Sequence, residues 1–303
     1  MDTREWALLL FTILGQAAAG LMIVLMIVRT YIAGKADSEL ADRLTVRSLY
    51  MVAPIMALAL FASLFHLGSP LHIVRAVPNI GSSWVSREVV IAVVFVAVAA
   101  LYTYMQWRKA GGEGLRVVVG WIAALLAATL VYAMGMVYMI STQPSWNTFA
   151  TPVTFVVGSL LLGVLGMAAG LVAGYTANGN KEDGKATGLF RTILQGLAMT
   201  AIVLLGIEFL VLPIYMAYLA SQGGAAMQSL GMMFTSYGTV LFFRLFIIFA
   251  GAGVLAAYLY RNASVAEKEK TLATLTYSAF ALALVGEALG RFLFYATHYR
   301  IGV

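Results

Sequence analysis

The feature that most constrains this chain is a succession of eight long apolar runs. They fall near 6–30, 48–68, 85–107, 116–141, 152–177, 189–220, 237–260 and 271–297, with short polar breaks between them. About 20 apolar helical residues cross a hydrocarbon core of ~30 Å. Inside lipid every backbone N–H and C=O must also find a partner, which a helix supplies within its own segment. The expected fold class is therefore all-α: a polytopic membrane protein of eight transmembrane helices, built as one integral membrane domain over 1–303. A soluble fold could not hide this composition, with hydrophobic residues at 62% and charged residues at only 11% against roughly 25% charged in an average soluble domain. Eight spans leave only short loops, so chemistry outside the membrane is expected on partner chains. The first run, Trp6 to Val28, is longer than a signal-peptide core and stays apolar past Ala17-Ala18-Ala19, so it reads as a retained helix.

Charge sets the expected orientation. The breaks at 29–47 (Arg29, Lys35, Arg43, Arg47), 108–116 (Arg108, Lys109, Arg116), 181–191 (Lys181, Lys185, Arg191) and 261–270 (Arg261, Lys268, Lys270) hold 13 of the 19 basic residues. The alternate breaks 142–151 and 221–236 hold none, and 69–84 holds only Arg75. Basic loops stay cytoplasmic, which puts both termini on the outer, periplasmic side of a cell inner membrane. The net charge of +6 then serves topology and anionic lipid and gives no reason to expect nucleic acid. The sixth run, 32 residues long, carries Pro213 and ends at Gly223-Gly224, so it is expected to bend and finish in outer interfacial structure.

An ionisable side chain within a span costs at least ~2.5–3.5 kcal/mol near the bilayer centre, so each one is a candidate for function. Counting from the basic loops at 1.5 Å per residue, His66 lies roughly 28 Å across, and Glu208 and Glu287 each about 26 Å across. Glu88 begins helix 3 from the outer side, Arg244 lies one or two turns into helix 7, and Arg291 follows Glu287 by one turn. All six are expected in the outer half of the bilayer. An outward-opening pocket of His, carboxylate and Arg suits a ligand that arrives through lipid and exchanges protons with outer water. A quinol fits, since imidazole and carboxylate are natural acceptors for its hydroxyl protons. Structural readings stand beside this one. Glu287 and Arg291 could neutralise each other at i,i+4, Glu208 and Arg244 could form an interhelical ion pair, and His66 could be a helix-end histidine. Arg75, Arg87, His72 and His298 read as interfacial, and the tryptophans as an aromatic belt. Gly20, Gly163, Gly166 and Gly170 read as helix-packing positions. The protein has no cysteine, which excludes disulfides, thiolate zinc sites and cysteine-ligated iron–sulfur clusters of its own.

Several blocks of residues resemble one family. His66-Leu67-Gly68-Ser69-Pro70 and Ser86-Arg87-Glu88 are similar to the outer ends of helices 2 and 3 in the membrane anchor of anaerobic dimethyl sulfoxide reductase. Pro144-Ser145-Trp146 with Thr151-Pro152, Tyr237-Gly238 before Arg244, and Gly286-Glu287 with Gly290-Arg291 and Phe294-Tyr295 follow in the same order. The resemblance implies an eight-helix subunit without haem that oxidises menaquinol near the outer face. It would pass the electrons to a partner iron–sulfur subunit, beside a molybdopterin catalytic subunit. It also implies that His66 and Glu88 belong to the quinol site. Ser69, Arg244, Glu287, Arg291 and Glu208 are further pocket candidates, and no metal is expected on this chain. The 181–185 and 261–270 segments depart from the family pattern, which leaves the terminal acceptor open. A quinone-reactive subunit of a polysulfide-type or other iron–sulfur molybdoenzyme would share the same membrane chemistry. A haem b cytochrome would need His66 and His298 as its axial pair. A secondary transporter would place its polar groups nearer the midplane.

Overall fold

A computed structural model describes residues 3–65, 78–177, 184–262 and 269–299. His66, Ser69, His72 and Arg75 lie outside these described residues. Ten α-helical segments follow in order: α1 (Thr3–Lys35), α2 (Ser38–Ser63), α3 (Trp84–Arg108), α4 (Glu113–Val137), α5 (Ala150–Ala177), α6 (Gly184–Gln222), α7 (Gly224–Thr235), α8 (Gly238–Leu245), α9 (Val254–Asn262) and α10 (Glu269–Ala296). A π-helical stretch, Phe246–Gly253, joins α8 to α9, so Gly238–Asn262 is one continuous span of 25 residues. Among the described residues, eight helices are long and apolar enough to cross a membrane, and there is no strand.

The bundle is organised around its first and fifth spans. Their most apolar stretches are 78% and 72% buried, against 22–44% for the others, so the remaining helices pack around this pair and turn one face outward. Small residues let α1 and α5 approach closely, as in other membrane helix pairs. A Cβ on Gly163 would overlap the backbone of Gly20, and one on Gly20 would overlap the Ser159 carbonyl. The Ser159 hydroxyl donates to the Gln16 carbonyl at 2.9 Å, and the Gln16 amide donates to the Phe155 carbonyl at 2.9 Å. These bonds satisfy buried polar groups where lipid could not.

One segment differs from the sequence expectation. The 29–47 break is mostly helical: α1 runs to Lys35, and α2 begins at Ser38 under an Asp37 cap that accepts from the Leu40 N–H at 2.7 Å. Arg29, expected in a loop, is 1% exposed. Its Nη2 and Nε lie 2.8 Å from Asp42 Oδ1, and Lys109 reaches Asp42 Oδ2 at 2.9 Å. This clasp joins α1, α2 and the end of α3 at the basic end of the bundle. Buried charge is therefore not confined to the other end. In the sixth span, α6 is one 39-residue helix through Pro213, and the break comes at Gly223 and Gly224. Both have positive φ, +65° and +50°, a conformation that glycine adopts without the Cβ penalty. The backbone turns there, and α7 packs Ala226 and Leu230 back against Leu219 of α6.

Candidate functional site

Four of the seven candidate residues meet in one cavity, opposite the Arg29–Asp42 clasp. Glu208 (α6), Arg244 (α8), Glu287 and Arg291 (both α10) line it, together with Thr151 and Thr154 of α5, Tyr215 of α6 and Met233 of α7. Helix spacing explains part of this: Glu287 and Arg291 are one turn apart and share a face of α10. Close backbone contacts explain the rest. A Cβ on Gly158 would lie 2.6 Å from Oε2 of Glu287, and one on Gly290 would lie 2.5 Å from Nε of Arg244. Bare glycines on α5 and α10 thus make the room that these two charged side chains occupy.

The charges are only partly matched. Nη2 of Arg244 is 4.0 Å from Oε2 of Glu208, the outer limit of an ion pair. Among the described residues Arg291 forms no ion pair with Glu287 within 4 Å, although the two charges act on each other. It donates through Nη2 to Oε1 of Gln16 at 3.1 Å and lies 3.6 Å over the Phe155 ring. Glu208 and Glu287 line the same cavity, close enough for their charges to act on each other. Among the described residues, both oxygens of Glu208 and Oε1 of Glu287, as carboxylates, find no hydrogen-bond partner, and neither do Nε of Arg244 and Nε of Arg291. Leaving such buried groups unpaired costs about 1–3 kcal/mol each, more when charged. The site therefore has donors and acceptors to offer a polar ligand inside an otherwise apolar cavity.

Glu88 stands apart from this cavity. It is the fifth residue of α3, 7% exposed, and α3 packs chiefly on α4 and α2. Ser83 caps the helix by accepting from the Ser86 N–H at 3.3 Å. Arg87 points away as expected, donating to the Ile80 and Gly81 carbonyls at 2.8 Å and lying 4.3 Å over the Trp84 ring. His298 is half-buried at the end of α10, its ring 4.9 Å from that of Trp146. Trp146, read from sequence as part of an aromatic belt, is instead tied into the bundle by an N–H bond to the Phe294 carbonyl at 2.8 Å.

Sequence reasoning missed the uncharged parts of the site. Gln16 accepts from Arg291, and Thr12, Tyr138 and Tyr295 form buried hydrogen bonds with one another one turn further along α10. Thr12 and Gln16 were detectable as two polar residues one turn apart in an apolar run. Gly158 carried no signal, because only the fold brings it against Glu287. Among the described residues, no group of three or more His, Cys, Asp or Glu side chains is placed to hold a metal ion.

Eight apolar helices enclosing partly unmatched carboxylates and arginines define a multi-pass membrane protein with a polar site buried inside the bundle. Comparison with known proteins narrows the class. The family model for the DMSO reductase anchor subunit (DmsC) matches residues 1–297, and the protein belongs to this family. It is 30% identical over 308 residues to the anaerobic dimethyl sulfoxide reductase subunit YnfH of Escherichia coli (strain K12), covering 99% of this sequence and 97% of that protein. A second anaerobic dimethyl sulfoxide reductase subunit of the same organism is 25% identical, over 99% of this sequence and 97% of the relative. The corresponding anaerobic dimethyl sulfoxide reductase subunit of Haemophilus influenzae is 24% identical, over 99% and 96%.

Proposed function

We propose that this protein oxidises menaquinol near the outer face of the cell inner membrane. It passes the electrons to an iron–sulfur partner subunit, which feeds a molybdopterin catalytic subunit. One observation carries the reading: carboxylates are buried in the membrane bundle, Glu88 on one side and Glu208 with Glu287 on the other, and the latter two keep oxygens without a hydrogen-bond partner among the described residues. Quinol oxidation releases two protons for every two electrons, so it needs acceptors of this kind within reach of lipid. Both termini and the 69–84, 142–151 and 221–236 loops face outward, and the partners dock there.

In this reading His66 and Glu88 take the hydroxyl protons. Ser69, Arg244, Glu287, Arg291 and Glu208 shape the surrounding polar environment. The clusters and the molybdopterin reside on the partners, in keeping with a sequence that has no cysteine. The test is to replace His66 by Ala and Glu88 by Gln in the three-subunit complex. Quinol-driven turnover is expected to fall at least about tenfold, equivalent to roughly 1.4 kcal/mol. Turnover driven by an artificial dye at the catalytic subunit stays intact. Loss of both activities together, or of neither, would remove these residues from the quinol chemistry.

A further inference from the structure

At the basic end of the bundle, opposite the carboxylate cavity, α2 and α3 leave a cleft of about 280 Å³ between them, close to the ~300 Å³ at which small-molecule sites begin. Glu39, Arg43, Val46 and Tyr50 recur at helical spacing along one face of α2, and Tyr102, Gln106 and Lys109 do the same on α3 and its cap. The lining changes character with depth. Glu39, Arg43 and Lys109 are exposed charges at the mouth. Val46, Leu49, Tyr50 and Tyr102 line the cleft further in, and from Glu39 to Tyr50 the helix descends about 16 Å. Two lining acceptors lack a donor. Glu39 makes no hydrogen bond or ion pair among the described residues. Gln106 is 7% exposed and gives its amide N–H groups to Asp42 at 3.3 Å and to the Tyr102 hydroxyl at 3.1 Å, while its Oε1 has no partner among the described residues. Leaving a buried amide oxygen without a donor is costly. Lys109 bonds Asp42 at 2.9 Å, and an ammonium has two further donors to give.

We infer that this cleft binds a phospholipid with a primary-amine headgroup, its phosphate on Arg43 and Lys109 and its ammonium on Glu39 and Oε1 of Gln106. The inference is independent of the quinol reading. Arg43 and Lys109 supply charge-assisted N–H donors for a phosphate. The ammonium brings the N–H donors that the two unmet acceptors need. A purely anionic lipid would satisfy the cations but set its charge beside Glu39 and Asp42. A choline headgroup carries the positive charge but has no N–H to give to Gln106. A quinone has an apolar tail and two carbonyls, but no charges to match those of either sign at the mouth. The acyl chains follow Val46, Leu49 and Tyr50 into the bilayer. Trp107, 64% exposed on the cleft wall, and Tyr50 stand where aromatic side chains mark the membrane–water interface. The headgroup would thus sit against Asp42, which already joins α1 and α2 through Arg29.

The test places the purified three-subunit complex in phosphatidylcholine vesicles containing a photoreactive phosphatidylethanolamine and maps the cross-links by mass spectrometry. They are expected within 39–50 and 102–109, with unlabelled phosphatidylethanolamine displacing them better than phosphatidylglycerol or added phosphatidylcholine. Glu39→Gln and Arg43→Gln are each expected to lower the apparent affinity about three- to fivefold, and Glu39→Asp and Arg43→Lys to recover part of it. Both positions are exposed, so thermal unfolding of the variants without added phosphatidylethanolamine should match wild type. Equal displacement by the three lipids, or cross-links spread evenly over the lipid-facing helices, would overturn the proposal. So would unchanged affinity in both Gln variants, or a loss that follows lowered stability and is not recovered by the Asp and Lys variants. Displacement by soluble glycerophosphoethanolamine as strong as by the lipid would make the ligand a free phosphate ester and overturn the lipid assignment.

Discussion

Gly158→Ala separates the position of Glu287 from the stability of the bundle. The added Cβ would lie 2.6 Å from Oε2 of Glu287, about 0.7 Å inside the ~3.3 Å at which a carbon and an oxygen come to rest. The obstacle is the end of a side chain and not backbone, so the carboxyl shifts while α5 and α10 keep their packing. Glu287 is 4% exposed, so its carboxyl moves within the cavity, against Glu208, Arg244 or Arg291. Alanine is also better than glycine in a helix interior by about 0.8–1.0 kcal/mol, which offsets the strain and should hold net stability within roughly 1 kcal/mol. Misplacement by 1 Å can cost on the order of 10²-fold in rate, and a shift of this size should cost about tenfold or more. The assay compares quinol-driven with dye-driven turnover in the complex, with Gly166→Ala as control. At Gly166 the new Cβ would meet Phe280 at 3.4 Å, an ordinary contact. Equal quinol turnover in Gly158→Ala, Gly166→Ala and wild type would refute the claim that the position of Glu287 matters.

Gly20→Ala meets backbone at Ser159, so it should force α1 and α5 apart at about 1–3 kcal/mol or more, seen as unfolding at lower denaturant. Gly163→Ala acts on the same contact, so the double variant should cost less than the sum. Asp42→Asn leaves the fully buried Arg29 without its counter-charge and should destabilise by roughly 3–5 kcal/mol; a change below about 1 kcal/mol would show that water reaches the clasp. Because the protein has no cysteine, single Gly112→Cys and Asn147→Cys variants report topology. A membrane-impermeant thiol reagent added outside is expected to label position 147 and spare position 112.

The eight spans were legible because bilayer thickness imposes a length that sequence cannot disguise. The charged half of the site was legible for a related reason: Glu208, Arg244, Glu287 and Arg291 stand out against an apolar background. Their pairing was not. An i,i+4 spacing suggested that Arg291 neutralises Glu287, but Gln16 and the face of Phe155 hold the guanidinium, a competition decided by how α1 and α5 pack. Arg29 was misplaced because charge density was taken to mark a loop. A helix can continue through such a stretch when one acidic partner, here Asp42, shields the cation. Depth grouped Glu88 with the other carboxylates, and depth fixes height along the membrane normal and leaves the angle around the bundle open.

The central claim is that electrons enter the complex through quinol bound to this subunit. The most direct measurement is the reduction of the partner's iron–sulfur centres, followed by electron paramagnetic resonance after menaquinol is added anaerobically to the oxidised complex. The clusters are expected to be reduced in the wild-type complex. With His66→Ala and Glu88→Gln combined, menaquinol should leave them oxidised while a soluble chemical reductant still reduces them. Equal reduction by menaquinol in the double variant, or in partners purified without this subunit, would contradict the account.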